Sequence, residues 1–61
     1  MNYEDRIIEH IELGSQRRKI AEYYRLALHD GAIVDWKRIN EAIIARWSLS
    51  GLKWIKKEAW R

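Results

Sequence analysis

The spacing of the apolar residues constrains this chain most. They recur at intervals of three and four through its segments, and no stretch alternates apolar with polar over the length of a strand. Intervals of three and four keep side chains on one face of an α-helix, whereas a half-buried strand needs a period of two. The pattern predicts an all-α fold: a small bundle of three to four short helices.

Asn2 is placed to cap the first helix, with Asp5 at the capping-box position and Glu4 near the positive helix end. Ile7, Ile8 and Ile11 share its apolar face. Gly14 reads as a C-cap glycine and Ser15 as a new N-cap. Next, Ile20, Tyr24, Ala27 and Leu28 fall on one face, with Arg18, Glu22, Arg25 and His29 opposite. Carried straight through Gly14, the two apolar faces would point in nearly opposite directions. A bend at Gly14–Ser15 is therefore expected; the alternative is a straight rod with two different partners, as in a dimer. His29, Asp30 and Gly31 end the second helix. Ala32, Ile33 and Val34 are expected to plug the core.

Asp35 caps a third helix whose inward stripe is Trp36, Ile39, Ile43 and Trp47. Ala42 and Ala45 lie towards its back, small enough to let another helix come close. Ser48-Leu49-Ser50-Gly51 reads as a turn with Ser50 as a cap. Leu52, Ile55 and Ala59 then face inward, on a side rotated by more than about 90° from the preceding stripe. The C-terminal half is thus expected to resemble a helix–turn–helix unit.

The 61 residues make one domain, 1–61. A chain this short buries only about 60% of its unfolded surface, so help from oligomerisation is a real alternative to a free-standing bundle. There is no cysteine, which excludes disulfides and thiolate metal sites and fits a reducing compartment. No leader-like or membrane-length apolar run is present, so the expected location is the cytoplasm. The net charge of +3 is unevenly placed: residues 1–30 hold five basic and six acidic side chains, residues 31–61 seven and three. A basic C-terminal half points to an anionic partner.

The chemistry of enzymes is sparse. His10 and His29 are the only histidines, and no metal-binding spacing, phosphate-binding glycine loop or nucleophile elbow occurs. A metal-free nuclease built from Tyr24, Arg25 and His29 would need a pocket that so small a chain can hardly form. The expectation is a non-enzymatic binding module with no cofactor, no metal and no small-molecule substrate.

The last helix is the most informative segment. Lys53, Lys57 and Arg61 recur at intervals of four as a basic stripe. Trp54 lies beside it, away from Leu52 and Ile55, and Trp60 on the other shoulder, towards the core. Lys56 and Arg46 extend the positive surface. Cations one turn apart can follow phosphates, and indoles can stack on bases. No Asn or Gln stands on this helix to read adenine, so sequence-tolerant phosphate contact fits better than base readout. A second cluster, Arg17-Arg18-Lys19, opens the second helix against its dipole. The bland alternatives are a solvated lysine face and pairing of Arg18 with Glu22. An interfacial membrane helix is disfavoured, because the segment is short and its apolar residues are needed for the core.

The run from Trp36 to Trp60 resembles small proteins encoded by phages and mobile elements. The residues carrying the resemblance are Trp36, Lys37, Ile39, Asn40, Ala42, Ile43, Arg46, Trp47, Ser48, Ser50, Gly51, Leu52, Lys53, Ile55, Lys56, Lys57, Ala59 and Trp60. It implies either a small DNA-binding regulator or an inhibitor that docks on a host protein, and it carries over no functional residue. Two functions are expected. One is nucleic-acid binding, DNA before RNA, through Lys53, Trp54, Lys57, Arg61, Lys56 and Arg46. The other is protein–protein binding through Trp54, Ala42 and Ala45, as a homodimer or as such an inhibitor.

Overall fold

The computed structural model describes residues 2–60. Three helices follow in order: α1 (Tyr3–Glu12), α2 (Arg17–His29) and α3 (Trp36–Ala59). They enclose one core in a body of 25 × 24 × 19 Å, and among the described residues there is no strand.

Local chemistry sets the boundaries. The Asn2 side chain accepts from the Asp5 amide at 2.8 Å, and Asp35 Oδ1 accepts from the Arg38 amide at 3.1 Å; each quenches a donor that a helix start leaves orphaned. Both early helices end in the same motif. Gly14 (φ 86°) and Gly31 (φ 65°) sit in the left-handed region that a side chain disfavours. Behind them, Ser15 N–H donates to His10 C=O (3.0 Å) and Gly14 N–H to Ile11 C=O (3.3 Å). Ala32 N–H likewise donates to Ala27 C=O (3.0 Å) and Gly31 N–H to Leu28 C=O (3.2 Å). These paired bonds are the Schellman arrangement.

The bend at Gly14 brings the first two apolar faces to a common core. Ile7, Ile20, Ile39, Ile43 and Ile55 are its largest fully buried side chains, joined by Ile8, Ile11, Ala21, Tyr24, Ala27, Leu52 and Ala59. Trp36 tilts against Tyr24, ring centroids 4.8 Å apart. The Tyr24 hydroxyl donates to Asn40 Oδ1 at 2.9 Å, joining α2 to α3. Burial raises the Tyr24 pKa above its ordinary value.

Polar links close the N-terminal end. Glu4 accepts from the Asp35 amide (2.9 Å) and from Arg38 Nη1 (2.8 Å). The amide first, and then the guanidinium, hold its carboxyl below the usual range. The Tyr3 hydroxyl donates to Asp30.

Three expectations are corrected. Ser15 does not cap α2: Gln16 occupies that position without a side-chain bond, while the Ser15 hydroxyl shares a 3.0 Å hydrogen bond with His10 Nδ1. Ile33 does not plug the core but stands wholly in solvent; only Ala32 and Val34 of that connector pack inward. The turn expected over 48–51 contracts to Ser48, the one non-helical residue inside α3 (φ 65°, ψ −179°). Leu49, Ser50 and Gly51 already belong to the second arm, and the Ser50 hydroxyl meets that of Ser48 at 3.1 Å. The kink turns Leu52, Ile55 and Ala59 back onto the core, which accounts for the rotated apolar face.

Candidate nucleic-acid interface

The C-terminal arm of α3, residues 49–59, presents Lys53, Lys56 and Lys57 to solvent. The inward side chains Leu52, Ile55 and Ala59 hold it in place. At 100° per residue, Lys57 falls about 40° to one side of Lys53 and Lys56 about 60° to the other. Trp60, seven residues after Lys53, returns to within about 20° of it. Trp60 is 70% exposed. The indole on the basic face is therefore Trp60, and its expected position towards the core is corrected. The spacing of seven from Lys53 was the signal that could have placed it.

Trp54 moves the other way. Its expected exposed position is corrected to a half-buried one, packed against the core cluster. The Arg17 guanidinium stands over its ring, 4.3 Å from the centroid. This cation–π contact occupies a ring face that a base would otherwise stack on, and it ties the start of α2 to the arm. It also gives the Arg17-Arg18-Lys19 cluster a structural use despite its unfavourable position at the helix start.

Arg46 is exposed, but its guanidinium is engaged within the fold. Its Nη1 donates to the Ile11 carbonyl at 3.1 Å, and its Cζ lies 4.3 Å from the centroid of the Trp47 ring. A cation here complements the negative end of α1. The expected nucleic-acid role of Arg46 thus competes with a contact inside the fold. Of the expected protein-contact residues, Ala42 is half-buried against its own core and Ala45 is exposed. Arg61 lies outside the described residues.

An open cleft of about 400 Å³ runs between α2 and the arm, lined by Arg18, Ala21, Glu22, Arg25, Trp54 and Glu58. Its two arginines and two glutamates give the lining no formal net charge. Arg25 and Glu22 continue into a neighbouring cleft with Leu26 and His29. Tyr24 does not join them, since its hydroxyl is engaged with Asn40. His10 is likewise engaged, stacked on Tyr23 with centroids 5.0 Å apart. Among the described residues no cluster of three or more His, Cys, Asp or Glu could hold a metal ion. Nor is any helix among them long and apolar enough to cross a membrane.

The fold and surface define an all-α, three-helix bundle with one lysine-rich outer face. No protein family, curated protein or solved structure matches the chain.

Proposed function

We propose that the chain is a non-catalytic module of the cytoplasm that binds nucleic acid, DNA before RNA, along the outer face of its C-terminal arm. Trp60 carries the reading. Lysines near the end of a helix are accounted for by the dipole alone, and Lys56 and Lys57 lie in the last turn. A large apolar ring left 70% exposed among three exposed lysines has no such local explanation. Lysines that follow phosphates, with an indole free to stack, combine the two parts of a sequence-tolerant binding surface. With lysines but no Asn or Gln on the arm, a helix–turn–helix-like approach to a major groove would read phosphates more than bases.

The test is fluorescence anisotropy with a labelled mixed duplex and a labelled single strand, titrated over a range of salt. Three phosphate contacts predict a slope of log K against log salt of about −3 on duplex. Lys53→Glu combined with Lys57→Glu abolishes binding, and Trp60→Ala weakens the single strand more than the duplex. Absent binding at low ionic strength, or binding insensitive to salt, overturns the proposal.

A second reading rests on a different surface. Ile44, Ala45 and Leu49 are exposed on both sides of Ser48, a small apolar area suited to a protein partner. That partner would be a second copy of the chain or, in the phage-type reading, a host protein. Alanine-to-glutamate substitution at Ala45 would break such a contact and spare nucleic-acid binding.

A further inference from the structure

Ser48 holds the kink of α3 in a backbone conformation that is nearly reserved for glycine. Its φ of 65° with ψ of −179° lies where a Cβ is crowded, and the residues on both sides are helical. Three residues on, Gly51 is buried, and a Cβ built there would strike the Cβ of Trp47, a group that cannot swing aside. In a straight α-helix, side chains four apart stand about 5–6 Å from each other at Cβ. The collision therefore belongs to the kink and not to the helix. Strain at Ser48 thus favours the straight form, while Gly51, lacking a Cβ, makes room for the kink; the segment between Trp47 and Lys53 contains no proline to oppose straightening.

A straight α3 cannot remain inside one globule. Its 24 residues would span about 36 Å, against a longest dimension of 25 Å for the whole body. Straightening would carry Leu52, Ile55 and Ala59 out of the core. The vacated space has the shape of that arm, and a second copy of the chain carries the same arm.

We propose that the C-terminal arm exchanges between two copies of this chain, with Ser48 as the hinge, to give a dimer in which each α3 is one continuous helix. Each core is then completed by the partner's arm through the contacts the monomer already makes, so the exchange forfeits little packing. A short strained hinge is the feature that drives such exchange. Ile44 and Leu49, exposed on the two sides of Ser48, lie where the two hinges would run past each other, and they gain cover there.

The test measures mass by light scattering across micromolar to millimolar concentration for the wild type, Ser48→Gly and Ser48→Ala. Glycine relaxes the kink and weakens the straight helix; alanine does the reverse. Helix preference alone separates the two by about fivefold per chain, so the dimerisation constant of Ser48→Ala exceeds that of Ser48→Gly by at least about tenfold. Because the chain lacks cysteine, spin labels at Lys37→Cys and Lys57→Cys report the intrachain distance in dimers diluted with unlabelled chain. A straight α3 places these Cα atoms about 30 Å apart. Equal or reversed dimerisation of the two variants, or a dimer that keeps the monomer's intrachain distance, overturns the proposal. Where Ser48→Ala does not fold, the wild type decides. A dimer with the long distance supports exchange; a monomer at millimolar concentration refutes it.

Discussion

Replacing Ser48 with glycine should stabilise the closed monomer, although glycine inside a helical segment normally does the opposite. The surrounding fold holds Ser48 in a backbone region that costs about 1–3 kcal/mol for a residue with a Cβ. Glycine removes that cost and adds about 0.5–1 kcal/mol of unfolded-state entropy to be lost on folding. The exposed 3.1 Å contact between the Ser48 and Ser50 hydroxyls is also lost, for which about 0.5 kcal/mol is a generous allowance. The balance leaves a gain of about 1 kcal/mol, which in a domain this small raises Tm by about 4–8 °C. Thermal unfolding followed by far-UV circular dichroism at low micromolar concentration measures the monomer, and a urea titration with unchanged m-value confirms that stability itself has moved. Ser50→Gly is the internal control. Ser50 is helical and exposed, so the same substitution two residues on should destabilise by about 0.5 kcal/mol. A Tm for Ser48→Gly at or below the wild-type value, or the same sign for both variants, would refute strain at the kink.

Gly51→Ala should cost the closed monomer about 1–3 kcal/mol, because the new methyl meets the Trp47 Cβ and only a backbone shift relieves it; a urea midpoint at low micromolar concentration reads the loss. Tyr24→Phe should cost about 1 kcal/mol at neutral pH through loss of the bond to Asn40. It also flattens the alkaline limb. The raised Tyr24 pKa contributes stability that is full below the ordinary tyrosine value, near 10, and is lost as pH climbs through the folded value. The limb flattens only in part, because the Tyr3 pKa is raised as well, by its bond to Asp30. At the acid end the sign reverses: the lowered Glu4 pKa contributes stability above the ordinary carboxylate range that is lost as pH falls through the folded value. Glu4→Gln should therefore give a shallower acid unfolding curve by circular dichroism, and an unchanged curve would rule out the Glu4–Asp35–Arg38 link as its source.

The parts of this fold governed by local rules are legible in the sequence. The isoleucine stripes, the two C-terminal glycines and the Asn2 and Asp35 caps each follow from a few neighbouring residues. What was not legible depends on the direction in which one helix crosses another. A helical wheel places Trp54 on the flank of its helix, but only the approach of α2, with Arg17 above the ring, decides that this flank is covered. Arg46 reaches a backbone carbonyl on α1, and a carbonyl leaves no trace in side-chain pattern. Ile33 lies in the six-residue connector between α2 and α3, which has no periodicity, so only its hydrophobicity points to burial, and hydrophobicity alone does not decide it. Trp60 is different in kind: its spacing of seven from Lys53 is written in the sequence and returns it to the basic face.

The Arg17–Trp54 contact crosses the boundary that an arm exchange would redraw. Arg17 belongs to the body of the bundle, whereas Trp54 stands on the arm with Lys53, Lys56 and Lys57. In the closed monomer both come from one chain; after exchange, each such pair comes from two. A dimer would then carry two copies of the basic face on one rigid frame, and a nucleic acid long enough to touch both would bind by avidity rather than by new contacts. Ligand length becomes the discriminating variable. If the lysine face acts in a monomer, affinity rises only gently as the duplex lengthens beyond the footprint of one arm. If it acts in an exchanged dimer, affinity steps up once the duplex spans both arms, and the salt slope roughly doubles, from about −3 to about −6. Ser48→Gly, which holds the arm closed without touching a lysine, should remove that step while leaving short-duplex binding unchanged. A step that persists in Ser48→Gly would separate avidity from arm exchange and assign it to dimerisation through another surface.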